Sequence, residues 1–273
     1  MKIKIQLLVA GMMCMSLCQA QTNTKKSLNE LLDPENSGWT KINQWISQAR
    51  NTVEVLPCDK ACAGEVLRKS QLSNATPLGG VIYNTGGILI DHGWIRILGS
   101  GCNRLERSIT DWNAGKAFMN GTVSSYMLVA DDVLGGFYAI KAGSPEEMNS
   151  GKVFYFGPNG LTWSNTGLTY TGFLGFCISG NLNDFYEGFR WTGWERDLTK
   201  MNCNNVVSCY PLLWTKEAIQ MNQNRKVIPV QKQWELYSSM LKCEKDPKLP
   251  VTKVASQKQN TGGKNLTARN SGK

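Results

Sequence analysis

The sequence predicts an α+β domain in which an antiparallel meander sheet is flanked by helices. Three observations predict this fold class: helical spacing of apolar residues near both ends, short β-type runs in the centre, and glycine turns between those runs. The chain has 273 residues, which is enough to bury a sizeable core. Its nine tryptophans all lie between Trp39 and Trp234, so we expect a single globular domain over residues 28–243.

The first part of this domain is predicted to run helix, strand, helix. Asp33 and the proline after it are suited to begin a helix whose apolar face continues to Ala49. Residues 52–56 alternate as in a strand, and Asp59 is placed to cap a second helix. The apolar run at residues 78–83 fits either a helix or a strand, because periodicity does not separate the two in a short run.

The central part consists of short β-type runs separated by glycine. Connections this short favour antiparallel pairing, since a parallel crossover needs about a dozen residues or more. The predicted strands cover residues 88–90, 94–98, 126–130, 137–140, 152–156 and 161–163.

Helical spacing returns after the sheet. A helix from Tyr170 is expected to end at Gly180. The further predicted elements are a helix over residues 185–189, a short helix over 194–198, a loop over 203–209, a strand at 227–228 and a last amphipathic helix over 234–241.

Both ends of the chain are predicted to lie outside the domain. Residues 1–20 resemble a signal peptide, because two lysines precede an apolar run and a small-residue cleavage site. Residues 21–27 are polar and expected to be loose, and residues 244–273 are expected to form a disordered basic tail. The mature protein is therefore predicted to be exported, to the periplasm or the medium, without a transmembrane segment. Acylation of Cys18 as in a lipoprotein is a weaker alternative, since Leu17 stands where a small residue is wanted.

The net charge of +9 belongs mainly to these ends. Residues 244–273 carry +5 and residues 1–20 carry +2, which leaves +2 for the rest of the chain. A nucleic-acid partner is not expected, because such a protein holds its positive charge on a folded face. The tail is instead suited to anionic surfaces.

The cysteines and the single histidine limit metal chemistry. Seven cysteines follow the signal segment, and the spacing of Cys203 and Cys209 allows a small disulfide loop. The spacing of Cys58 and Cys62 also allows a disulfide bond, although a strained one. No Cys-x-x-Cys pair occurs, so we predict no metal site and no cofactor.

Two segments contain candidate functional residues around acidic side chains. His92 lies between Asp91 and Trp94 at a glycine turn, where it is either a general base or a polar turn residue. Asp131 and Asp132 end a predicted strand, where they either bind a hard cation or cap the turn.

The third candidate segment is the richest in aromatic and charged residues. Arg190, Trp191 and Trp194 are residue types that dominate binding interfaces, although the same residues also suit a core helix. No catalytic residues are predicted, since the sequence has neither a Gly-x-Ser-x-Gly elbow nor a phosphate-binding glycine loop.

Five stretches resemble a bacterial family known as domain of unknown function 2625. The resemblance extends over about residues 28–242, and the long glycine-framed stretch that contains His92 is specific. The stretches are residues 53–57, 86–101, 129–137, 185–194 and 210–216. The family implies no established activity.

A looser resemblance joins the acidic strand end, the strand at residues 152–156 and the helix from Tyr170 to the SUKH (Smi1/Knr4-like) superfamily. Many of its members are toxin-neutralising immunity proteins, so this resemblance implies a SUKH-like α+β binding module. The signal peptide and the basic tail depart from that pattern.

Two functional hypotheses follow from the sequence. The first is a non-catalytic binding or immunity-like module of the cell envelope, with an unidentified protein partner. The alternative is a hydrolase that uses His92 with a nearby aspartate. The first is favoured because catalytic motifs are absent from the sequence.

Overall fold

A computed structural model describes residues 25–116, 126–143, 148–211, 213 and 224–243 of the chain. The predicted signal peptide, residues 21–24 and the predicted basic tail lie outside the described residues. Within the described part, the chain forms one α+β domain with a seven-stranded antiparallel meander, which confirms the predicted fold class.

The N-terminal part supplies four helices and the first strand. These elements are α1 (Leu28–Leu31), α2 (Gly38–Ser47), β1 (Val53–Leu56), α3 (Lys60–Ser70) and α4 (Pro77–Asn84). The predicted cap of the helix at residue 60 is confirmed, because the Asp59 side chain accepts a hydrogen bond from the Cys62 amide. The ambiguous run at residues 78–83 is helical, capped by Thr76 and with Pro77 in the first turn.

The predicted helix start at Asp33 is wrong. The Asp33 carboxylate accepts hydrogen bonds from the backbone amides of Glu35 and Asn36 at 3.0 and 2.9 Å, which fixes a bend. An aspartate side chain stabilises such turns as readily as it caps a helix. Helix α2 begins behind Ser37 instead.

The central sheet follows the order of the chain from β1 to β7. The further elements described in this part are β2 (Gly87–Ile90), β3 (Ile95–Leu98), the helix α5 (Ile109–Asn113), β4 (Tyr126–Asp132), β5 (Phe137–Lys141), β6 (Lys152–Phe156) and β7 (Trp163–Thr169). The predicted strands are confirmed, except that the last one lies further along the chain than residues 161–163.

Different helices cover the two faces of this sheet. Phe137 and Tyr138 are consecutive in β5 and therefore point to opposite faces. The Phe137 ring lies 5.1 Å from Trp234 of the C-terminal helix, whereas Tyr138 lies 4.8 Å from Phe173 of the helix that follows β7. The core thus has one half on each side of the sheet.

The described C-terminal part contains four further helices and a second, two-stranded sheet. Its elements are α6 (Tyr170–Ser179), α7 (Leu182–Phe185), α8 (Trp194–Thr199), β8 (Asn205–Tyr210), β9 (Asn224–Pro229) and α9 (Val230–Cys243). The helix predicted over residues 185–189 is wrong in position, because α7 ends at Phe185 and a turn follows. Each helix of the described part falls short of the length and apolar character needed to cross a membrane.

The predicted loop at residues 203–209 is mostly strand β8. Val206 pairs with Ile228 across the ribbon, so a strand much later in the chain completes its backbone hydrogen bonds. Cys203 and Cys209 are both free, and the predicted disulfide between them is not formed. The extended backbone keeps the two cysteines apart, since a strand rises about 3.3 Å per residue whereas bridged cysteines have Cα atoms within about 7 Å. Cys58 and Cys62 are also free.

Candidate functional site

The turn between β2 and β3 places Asp91 and His92 in an unusual backbone conformation. Asp91 has φ of 53° and His92 has φ of 60°, while the Gly93 amide donates to the Ile90 carbonyl at 3.1 Å. Both central residues therefore have the positive φ of a type I′ turn, a position that favours Asn and Gly. Each such non-glycine residue costs roughly 1–2 kcal/mol of strain.

Asp91 is held by Arg190 in an aromatic–arginine cluster, which we define as Asp91, Trp94, Arg190, Trp191 and Trp194. Arg190 forms an ion pair with Asp91 and donates to the Asn183 side chain at 2.6 Å. Its guanidinium lies 4.2 Å from the Trp194 ring and 5.0 Å from the Trp94 ring. Five of the predicted binding residues thus meet in one place.

This cluster is mostly interior. Trp94 is fully buried and Trp194 is buried, whereas Trp191 is half-buried and donates its indole N–H to Asp197 at 2.9 Å. His92 is exposed and touches only the edge of the cluster, with its ring 5.9 Å from Trp194. We conclude that the cluster holds the segment after α7 against the β2–β3 turn.

Asp131 lies on another face, in a guanidinium cluster formed with Arg96 and Arg107. Arg96 Nε donates to Asp131 Oδ1 at 2.6 Å, and Arg107 Nη1 donates to Oδ2 at 2.5 Å. Arg96 and Asp131 are directly paired across β3 and β4, and both side chains are buried. The same two arginines donate to the backbone carbonyls of Asn205 and Cys203, which attaches the second sheet.

Asp132 points to the opposite face of β4, into a tyrosine–aspartate network with Tyr138, Tyr155 and Tyr186. Its Oδ2 accepts hydrogen bonds from the hydroxyls of Tyr155 at 2.6 Å and Tyr186 at 3.1 Å. Its Oδ1 accepts the backbone amides of Leu134 and Gly136 at 2.9 and 2.8 Å. The hydroxyls of Tyr138 and Tyr186 lie 2.7 Å apart.

Burial dominates the electrostatics of this network. Desolvation raises the pKa of the Asp132 carboxyl, although the hydrogen bonds from Tyr155 and Gly136 act in the opposite direction. Desolvation also raises the pKa of Tyr155 and Tyr186 well above the ordinary phenol value, and the charge on Asp132 adds to this. The two phenols therefore stay protonated and donate to the carboxyl.

A pocket of about 260 Å³ lies directly above this network. Tyr155, Phe185, Tyr186 and Phe189 supply its aromatic wall, and the turn after β6 together with the start of β7 supplies the other side. The remaining lining residues are Leu134, Gly157, Pro158, Asn159, Gly160, Thr162 and Ser164. None of these described lining residues carries a charged side chain.

The structure separates the predicted site residues into three places. Asp91, Trp94, Arg190, Trp191 and Trp194 converge, with His92 at their rim. The neighbouring carboxylates of Asp131 and Asp132 do not act together, because consecutive residues of a strand face opposite ways. Both carboxylates accept hydrogen bonds from several protein groups, so neither has the open oxygen positions that a hard cation requires. In the described ranges, no three His, Cys, Asp or Glu side chains gather in a way that suits a metal ion.

Sequence reasoning missed the tyrosines and both arginines of these networks. Arg96 carried a usable signal, since a charged residue within the apolar strand Ile95–Leu98 needs a buried counter-charge. Tyr155 and Tyr186 gave no such signal, because aromatic residues in a strand or near a helix normally indicate core.

The fold and these networks define a single-domain α+β protein built on a seven-stranded meander. Residues 28–233 match the model of the family described as protein of unknown function DUF2625, and the chain belongs to this family. An uncharacterized protein of Haemophilus influenzae is 41% identical over 203 residues, which span 74% of this chain and 85% of that protein. The putative uncharacterized protein YbfG of Escherichia coli is 35% identical over 215 residues, or 79% of this chain and 97% of that protein. No solved structure matches the chain, and the SUKH-like classification therefore stays a prediction.

Proposed function

We propose that this protein is a non-catalytic binding protein of the cell envelope, and that its ligand enters the pocket above the tyrosine–aspartate network. One observation carries the proposal: the described residues around the pocket are apolar, aromatic or neutral and polar, while the Asp132 carboxylate beneath it is occupied by protein donors. Pockets that combine aromatic walls with a few polar groups are typical ligand sites.

The arrangement around His92 favours binding over hydrolysis. A general base needs a substrate within hydrogen-bond reach and a partner that orients its ring. His92 is exposed and is not among the residues that line the pocket, and the neighbouring Asp91 carboxylate is paired with Arg190. The immunity-like role implied by the SUKH resemblance is a special case of binding, with a toxin protein as the partner.

The predicted signal peptide supports a location outside the cytoplasm. Expression of the full chain in Escherichia coli tests this part of the proposal. We expect a periplasmic product whose N-terminal sequence begins at Gln21. A cytoplasmic product that retains Met1 contradicts export.

A sedimentation experiment tests the binding role of the pocket. We expect the purified protein to co-sediment with the envelope fraction of Escherichia coli, the source of one relative. Ser164→Trp should abolish co-sedimentation, because Ser164 is exposed at the pocket mouth and an indole there occupies the cavity. Ser47→Trp is the matched control, since Ser47 is exposed on α2 and does not line the pocket.

The same experiment separates binding from hydrolysis. His92→Ala should co-sediment like the unchanged protein, and neither protein should release soluble fragments from the envelope fraction. Release of fragments by the unchanged protein but not by His92→Ala supports the hydrolase alternative. Equal sedimentation of the two tryptophan variants rules out the pocket as the binding site.

A further inference from the structure

We infer that the pocket binds one unit of a neutral saccharide, an inference that rests on the proposed binding function and adds its ligand class. Five properties of the pocket lead to this assignment: its size, the angles between its aromatic rings, the rigidity of its floor, the chemistry of its rim and the lack of charged side chains among the described lining residues.

The size of the pocket limits the ligand to a small unit. Its volume of about 260 Å³ equals the space of roughly nine water molecules at about 30 Å³ each. This is slightly below the range of roughly 300–1,000 Å³ that is usual for drug-sized ligands. A single pyranose ring with its hydroxyl groups fits such a space, whereas a folded peptide segment does not.

The aromatic wall forms a corner and not a flat slot. The Phe185 ring meets the Tyr186 ring at 88° with centroids 4.8 Å apart, and it meets the Tyr155 ring at 63° and 5.6 Å. Rings packed edge to face in this way offer apolar surfaces that differ in direction. The C–H groups on the face and edge of a sugar ring are able to pack against such a corner.

The floor of the pocket is rigid before any ligand binds. The hydroxyls of Tyr155 and Tyr186 are both bonded to Asp132, and Tyr186 is also bonded to Tyr138. A site whose side chains are already fixed loses little conformational entropy on binding. The phenols therefore position the aromatic wall and are not free to bind the ligand through their protons.

The rim opposite the wall carries neutral polar groups. Asn159, Thr162 and Ser164 are exposed and line the mouth of the pocket. Within the described part of the chain, these three side chains make no hydrogen bond to another protein group, in contrast to the saturated network beneath them. An amide and two hydroxyls both donate and accept hydrogen bonds, which matches the hydroxyl groups of a sugar.

The charges around the pocket argue against an anionic ligand and against a cationic ligand. The described lining residues include no cationic side chain that could pair with an anionic ligand. A cationic ligand finds aromatic rings, but the one carboxyl beneath them is buried and accepts four hydrogen bonds from the protein. A neutral ligand is the class that needs no counter-charge here.

Calorimetric titration of the purified full-length protein tests the assignment. The neutral probes are the methyl glycosides of glucose, galactose, mannose and N-acetylglucosamine. The charged probes are methyl glucuronide and choline, and N-acetylphenylalanine amide represents an aromatic side chain. We expect at least one neutral glycoside to bind saturably with one site per chain, and more tightly than every charged or aromatic probe.

Two variants locate the binding in the pocket. Ser164→Trp should abolish the heat of binding, and Ser47→Trp should leave it unchanged. Thr162→Val keeps the shape of the side chain and removes its hydroxyl, so we expect affinity to fall about fivefold, as for the loss of one hydrogen bond of about 1 kcal/mol. Circular dichroism of all variants checks that the fold is retained.

The alternative outcomes are distinct. No binding by any of the neutral glycosides overturns the saccharide assignment. Preferential binding of choline or of the phenylalanine amide that is lost in Ser164→Trp also overturns it, but leaves the proposed binding function in place. Glycoside binding that Ser164→Trp does not weaken places the site elsewhere and overturns both the assignment and the role of the pocket.

Discussion

Asp131 and Asp132 are neighbours in one strand, yet they stabilise the two faces of the molecule by different means. Asp131 neutralises the buried guanidinium of Arg96 and the partly buried one of Arg107, and both arginines connect the main sheet to the second sheet. Asp132 accepts hydrogen bonds from two phenols and two backbone amides and supports the floor of the pocket. One carboxylate thus serves as a counter-ion for arginines, whereas the other serves as a hydrogen-bond acceptor whose charge is removed by protonation.

The difference shows how a pair of acidic residues is to be interpreted. In the sequence the pair suggests a shared site, whereas the alternation of the strand gives each residue its own surroundings. The partners decide the role: Arg107 has its pKa lowered by burial and needs the charge of Asp131, while the phenols around Asp132 are neutral. Three substitutions test this contrast and a fourth tests the β2–β3 turn, in order of decreasing expected effect.

Asp131→Asn should have the largest effect on stability. It leaves Arg96 and Arg107 without a counter-charge, and breaking a buried ion pair in this way costs about 3–5 kcal/mol. Urea unfolding followed by circular dichroism measures the change in the free energy of unfolding. Glu54→Gln is the control, because its pair with Arg104 is about half exposed and should contribute no more than about 1 kcal/mol. Equal losses in the two variants contradict the counter-ion role of Asp131.

Gly136→Ala should disturb the other face by a smaller amount. A Cβ atom at this position meets Asp132 Oδ2 and the Tyr155 hydroxyl at 2.4 Å each, and both atoms are fixed by their mutual hydrogen bond. We expect the free energy of unfolding to fall by about 1–3 kcal/mol, as for an overpacked core. Gly175→Ala is the control, since nothing lies within 4 Å of its added Cβ in helix α6. If the free energy of unfolding of Gly136→Ala falls no more than that of Gly175→Ala, the tight packing of the network is contradicted.

Asp132→Asn should reveal the titration of the buried carboxyl. The pKa of Asp132 is raised in the folded state above about 3.9, the value of an unfolded aspartate. Between these two pKa values the folded chain binds more protons, so the contribution of Asp132 to stability falls as pH rises, by up to about 1.4 kcal/mol per pH unit.

Urea unfolding of both proteins between about pH 4 and pH 7 measures this effect. The unchanged protein should lose stability relative to Asp132→Asn as pH increases, because asparagine does not ionise. The same experiment on Asp131→Asn provides a comparison with the guanidinium face. A difference between the unchanged protein and Asp132→Asn that stays constant with pH shows that the carboxyl is ionised throughout.

His92→Gly should have the smallest effect and a favourable sign. His92 is exposed with φ of 60°, a conformation that glycine adopts without strain. We expect a gain of up to about 1 kcal/mol in the free energy of unfolding. Thr52→Gly, at an exposed position outside this turn, serves as the control and should not stabilise the protein. A loss of more than about 1 kcal/mol in His92→Gly indicates that the histidine has a structural role.

Local sequence signals predicted most of the fold correctly. Asp59 caps its helix as expected, because its carboxylate and the Cys62 amide that donates to it lie only three residues apart. The strand at Asn205–Tyr210 was missed because it depends on a partner strand at Asn224–Pro229, which pairs with it only in the folded chain. Asp33 was assigned to the wrong element because a bend and a helix start use the same hydrogen bonds.

The candidate site was predicted only in part, for a similar reason. Asp91, Trp94 and Arg190 were recognised individually, but the ion pair joins residues that are 99 positions apart. The pocket was missed entirely, because its wall and its rim come from separate elements and have no common motif. The spacing of residues along the chain predicts which side chains are neighbours within one helix or strand. It does not predict how one element packs on another.

The order of the sheet has a consequence for how the chain folds. Each strand of the meander pairs with the next strand along the chain, and low sequence separation between contacting strands favours rapid formation. Arg96 reaches the carbonyl of Asn205 across 109 positions, so this hydrogen bond closes a far longer loop than the pairing of consecutive strands does. We therefore expect the guanidinium cluster to close late in folding, so that substitutions there accelerate unfolding more than they slow folding, which stopped-flow kinetics of Asp131→Asn would measure.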